Sequence, residues 1–133
     1  MTPAGLLDQA RDLLEQPAAA GIGAWPRAVA LLTRQALEQA LGEFWNAHQA
    51  TEGLSGCPMK TQLTCLPAYL DPRLAREISY VWAALSNACH YHPYDLAPTA
   101  TELTGWMQTV TTLITTIGDH RPQRYNEPIA AAD

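Results

Sequence analysis

The sequence predicts an all-α fold: four principal antiparallel helices in a bundle, with a short kinked helix among them. Three observations predict it. Apolar residues recur at spacings of three and four in successive segments. Three of those segments open on a capping residue followed by proline, or on a capping box. No internal repeat and no strand pattern interrupts them. The threonine-rich run 109–116 has β propensity, but its apolar period is helical.

Thr2-Pro3 places an N-cap before a proline at the first helical position, and Leu6, Leu7, Ala10, Leu13 and Leu14 follow at helical spacing. Pro17 ends this helix, and residues 18–24 form a link with two glycines and no charge. Trp25-Pro26 opens a longer helix, expected to reach about Ala50, with Val29, Leu32, Leu41 and Phe44 on its apolar face. Arg34 and Glu38 pair at i and i+4, and Arg27 and Arg34, seven apart, share a face. Gly42 is read as marking a close helix crossing. Residues 51–58 are read as a loop, and Met59–Leu70 as a third helix that Pro67 kinks or splits.

Asp71-Pro72 is a second cap-plus-proline start. Leu74, Ile78, Val81, Trp82, Leu85 and Cys89 then form an apolar stripe, and the helix is expected to reach about Tyr91 because Pro93 pushes His92 out of helical geometry. Thr99 and Glu102 form a capping box for the last helix, whose stripe includes Leu103, Met107, Val110 and Leu113 and which stops at Gly118. The expected domain spans 1–118, and residues 119–133 are read as a flexible C-terminal tail.

One domain suits 133 residues, and a chain of that length buries a core without disulfides. The formal charge of −5 disfavours broad, sequence-independent nucleic-acid binding but leaves room for a small local RNA site. Three cysteines cannot all pair within one chain, and Met1-Thr2-Pro3-Ala4 does not open a signal peptide, so free thiols in the cytoplasm are expected. No apolar run approaches the roughly 18 residues that span a bilayer, so no membrane partner is expected.

The chemistry concentrates in residues 85–95, which hold two of the four histidines and two of the five tyrosines. Asn87, His90, Tyr91 and Tyr94 would share one helical face, and Ser86 and His90, at i and i+4, would bring a hydroxyl to an imidazole. The competing reading is structural: these groups satisfy a helix end, where histidine suits the dipole. His90 and His92 would lie about 200° apart on a regular helix, and the cysteines lack the tight pairing of zinc sites. No metal and no cofactor are therefore expected. Cys89 falls on the apolar stripe, as an inert thiol rather than a nucleophile. General acid–base catalysis by histidine is better supported.

The arrangement of Arg27, Leu31, Leu32, Arg34, Gln35, Ala36, Leu37 and Glu38 on one helix, then residues 85–92, then a capped final helix, resembles the HEPN superfamily over roughly residues 25–117. That family consists of compact all-α bundles, common in bacterial toxin–antitoxin and phage-defence systems. The resemblance implies a metal-independent endoribonuclease acting as a homodimer, with two motifs facing across one cleft. The family motif is an arginine, then a polar residue, then a histidine four to six residues after the arginine. His92 or His90 matches the histidine, but the arginine position carries Asn87 or Ser86, and no arginine lies between Arg76 and Arg121. Arg73, Arg76 or Arg34, from the same chain or a second subunit, would have to supply the charge.

On this reading His92 or His90 is the acid–base group, Asn87 and Ser86 orient the scissile phosphate, Tyr91 or Tyr94 stacks a base, and Arg76 contacts substrate. The alternative is the same bundle without catalysis, an interaction module that binds a protein partner such as an antitoxin, or RNA. A third reading is a small-molecule regulator with Trp82 and Trp106 lining a pocket.

Overall fold

The Thr2 hydroxyl accepts the Gly5 N–H at 3.0 Å and starts helix α1, Pro3–Glu15. The chain is seen here as a computed structural model that describes residues 1–21, 23–47, 50–90 and 96–118. Tyr91, His92, Tyr94 and the 119–133 tail lie outside the described residues. The remaining helices are α2 (Trp25–Asn46), α3 (Met59–Cys65), α4 (Pro72–Cys89) and α5 (Ala100–Gly118). Among the described residues there is no strand.

The caps read from the sequence are formed. The Asp71 carboxylate accepts the Arg73 N–H at 3.0 Å and starts α4. Thr99 Oγ1 accepts the Glu102 N–H, and Glu102 Oε1 accepts the Thr99 N–H, both at 3.1 Å, which closes the capping box of α5. Pro67 splits the third segment as expected: α3 stops at Cys65, and a 3₁₀ turn runs from Leu66 to Ala68.

Three expectations are corrected. Helix α2 ends at Asn46, not near Ala50, because the Thr51 hydroxyl donates to the Trp45 carbonyl at 2.7 Å and closes the helix end from outside. The 51–58 loop contains a 3₁₀ turn, Glu52–Gly56. Gly42 marks no close crossing, since a Cβ built there would meet nothing within 4 Å.

Side-chain contacts fix the directions of the helices. The start of α1 lies by the end of α2, where Thr2 and Pro3 share a hollow with Phe44 and Ala47. Arg27 near the start of α2 reaches Cys89 at the end of α4, so these two helices are antiparallel. Ile114 and Ile117 near the end of α5 lie by the start of α1, and Arg11 bonds Thr111, so α1 and α5 are antiparallel as well. The four long helices thus alternate in direction along the chain. Helix α2 touches α1, α4 and α5 and forms the centre of the bundle.

The apolar stripes meet there. Val29, Leu37, Leu41 and Trp45 of α2, Ile78 and Leu85 of α4, and Leu103 and Leu113 of α5 are fully buried in one core. Burial of a leucine- or isoleucine-sized side chain contributes about 1.5–3 kcal/mol, so this shared core holds the helix ends in register. Helix α3 is tied on by a polar pin. Trp45 Nε1 donates to Gln62 Oε1 at 3.1 Å, Gln62 Nε2 donates to the Cys57 carbonyl at 2.8 Å, and Tyr69 packs edge-on against Trp45.

Candidate functional site at the end of helix α4

Helix α4 stops at Cys89, two residues earlier than Tyr91, and His90 is already extended (φ −89°, ψ 136°). The physical reason is Pro93. The Cys89 carbonyl would take its helical hydrogen bond from residue 93, and proline has no N–H to give and a ring that crowds the carbonyl four residues back. Arg27 supplies the missing donor: its Nη2 donates to the Cys89 carbonyl at 3.0 Å. The His90 N–H turns back to the Asn87 carbonyl at 3.2 Å. The helical angle expected between His90 and His92 therefore loses its premise.

A cavity of about 500 Å³ opens where the start of α2, the end of α4 and the start of α5 meet. Its walls include Arg27, Asn87, His90, Leu96, Glu102 and Trp106. Arg27, Asn87 and His90 thus share one chamber although Arg27 is some sixty residues away in sequence. Glu102 brings the opposite charge to the same wall, and its Oε1 is engaged by Thr99 at the head of α5. A hollow of about 600 Å³ at the other end of the bundle has Glu43 as the one ionisable side chain among its walls.

The other site residues read from the sequence separate. Ser86 does not line the cavity; its Oγ is buried and has no hydrogen-bond partner among the described residues, so the expected hydroxyl–imidazole contact with His90 is not formed. Arg76 is exposed on α4, eleven residues before Asn87, which is about 16 Å along a helix, and it does not line the cavity. Tyr91, His92 and Tyr94 lie outside the described residues. Trp106 lines the cavity and Trp82 does not; Trp82 Nε1 donates to Glu38 Oε1 at 3.0 Å between α4 and α2.

Three side chains escaped the sequence reading. Arg27 and Glu102 line the chamber, and Leu96 stands 98% exposed at its rim. Arg27 carried a signal in its shared face with Arg34, but nothing local tied that face to residue 89.

The polar character continues between the packed helices α2 and α4. Arg34 Nε stands 3.6 Å from Glu38 Oε1, an ion pair too long for a hydrogen bond. Burial pushes the Cys89 thiol above its ordinary value; Arg34 and Arg27 pull it down and Glu38 pushes it further up. The net rise keeps the thiol protonated at neutral pH. Among the described residues no three His, Cys, Asp or Glu side chains converge as a metal-ligand set, and no helix is long and apolar enough to cross a membrane. No protein-family model, curated protein or solved structure matches this chain.

Proposed function

We propose that this chain is a HEPN-like domain of a bacterial conflict system, of the toxin–antitoxin or phage-defence kind, and cuts RNA without a metal at a homodimer cleft. One observation carries the reading: Arg27 stands in the same chamber as Asn87 and His90. The motif arginine is missing from the sequence beside the histidines, and Arg27 brings a guanidinium to that place from another helix.

The chemistry follows. A histidine takes the proton of a ribose 2′-hydroxyl, the 2′-oxygen attacks the adjacent phosphorus, and an acid returns a proton to the departing 5′-oxygen. His90 and His92 fill these two roles between them. Arg27 stabilises the charge that gathers on the phosphorane oxygens, and Asn87 orients the phosphate by hydrogen bonding. Tyr91 and Tyr94 offer rings on which a base can stack.

The test is RNA cleavage and growth toxicity of wild type against His90→Ala and His92→Ala. Loss of a general acid or base should lower cleavage by about 10²–10⁴-fold. Unchanged cleavage in both variants would falsify their catalytic role. Inactivity of the wild type on RNA would instead favour the interaction module. That second reading is supported by Tyr80, 68% exposed, and Leu96, 98% exposed, two large apolar side chains on the surface. The partner there would be a protein such as an antitoxin.

A further inference from the structure

The chamber at the end of helix α4 has two unlike sides. Helices α2 and α4 bring Arg27, Asn87 and His90, and the ribonuclease reading uses all three. Helix α5 brings Glu102 and Trp106, which that reading leaves unused. The two stand four residues apart, about one turn, so they share a face of α5. A carboxylate there repels a phosphate and calls instead for a ligand group that donates hydrogen bonds.

The hydrogen bonds of Glu102 decide which of its oxygens can serve. Oε1 accepts the Thr99 N–H at 3.1 Å and the Thr99 hydroxyl at 3.2 Å, so the helix cap occupies it. Oε2 accepts no hydrogen bond, and Glu102 forms no ion pair, among the described residues. Glu102 is exposed, so a ligand reaches its carboxylate without displacing a protein partner. Trp106 is half-buried and lines the same cavity with its flat ring. At about 500 Å³ the cavity falls within the roughly 300–1,000 Å³ of small-molecule sites, which is room for a nucleotide.

We infer that the α5 side of the chamber is a guanine site, in which Glu102 Oε2 accepts from N1–H and N2–H of the base and the Trp106 indole stacks on its ring. The inference rests on the ribonuclease reading for the phosphate side and adds the choice of base. One carboxylate oxygen has two lone pairs, and guanine is the base that sets two N–H donors side by side on its Watson–Crick edge. Adenine and cytosine place a ring-nitrogen acceptor beside their amino group, and uracil flanks its N–H with two carbonyls. Each of these turns a lone pair towards the carboxylate. A chamber of this size holds base and phosphate from one nucleotide, so RNA is cut on the 3′ side of guanosine.

The test is calorimetric titration of the full chain with the 3′-monophosphates of guanosine, adenosine, cytidine and uridine, with RNA cut sites mapped in parallel. Wild type should bind the guanosine nucleotide at least about tenfold more tightly than the other three, and cut after guanosine. Glu102→Gln should keep the fold, because glutamine also closes a capping box. Its carbonyl oxygen must replace Oε1 at Thr99, which puts the amide N–H groups where Oε2 stood and sets donors against the guanine donors. The guanine preference should then fall by about tenfold or more, at an unchanged melting temperature. Trp106→Leu should weaken all four nucleotides alike, because stacking is indifferent to the base. A guanine preference in binding without cleavage of RNA would support the site and remove the ribonuclease reading. Cleavage of RNA with equal affinity for the four nucleotides, a preference that survives Glu102→Gln, or no binding of any nucleotide would overturn the site.

Discussion

Cys89 shows how one residue position carries three effects. Its carbonyl is left without a helical donor by Pro93 and is taken by Arg27; its thiol sits half-buried on the stripe facing α2. Burial raises the thiol pKa against the pull of Arg34 and Arg27. The sign of the pH effect follows. Below the ordinary thiol range, near 8.5, folded and unfolded chains both hold the proton. As the pH rises past it the unfolded chain releases its proton first, so folding stability falls until the folded thiol also titrates. Chemical unfolding from pH 7 to 10 should show this decline in wild type and a shallower one in Cys89→Ala. Equal slopes would remove burial of the thiol as the cause. The same position marks where local reading fell short. The local rule has Pro93 restrict its neighbour His92, whereas its missing N–H matters four residues back, at the Cys89 carbonyl.

At the scale of elements, helix starts were legible and helix ends less so. Thr2, Asp71 and Thr99 cap by contacts within three residues, so sequence alone carries them. The end of α2 depends on Thr51 folding back to Trp45, and the attachment of α3 on Gln62 reaching Trp45 across seventeen residues. Such contacts leave no periodic trace. Gln62 is buried, and its amide satisfies both the Trp45 indole and the Cys57 carbonyl. Gln62→Leu keeps the volume and strands both groups, so urea unfolding should show a loss of about 2–4 kcal/mol. A loss under about 1 kcal/mol would mean that solvent reaches the pin. Gly42 erred in the other direction, since an unfavourable residue in a helix need not mark a close approach; here it faces open space.

For the whole molecule, the alternating bundle decides what the sequence could not. It gathers the start of α2, the end of α4 and the start of α5 at one end, and so brings Arg27 to Asn87 and His90. The histidines and Asn87 were legible because they are neighbours in sequence. Arg27 was not, because only packing of α2 against α4 joins them. With a net charge of −5, attraction of RNA must come from such a local cation rather than from the overall field. The proposed ribonuclease therefore turns on the charge at position 27, and the most direct measurement is the single-turnover cleavage rate of Arg27→Gln against Arg27→Lys. Removal of the cation should lower the rate by about 10²-fold or more, and lysine should restore a measurable part of it. Arg27→Gln cleaving as fast as wild type, with its helical content intact by circular dichroism, would contradict the claim.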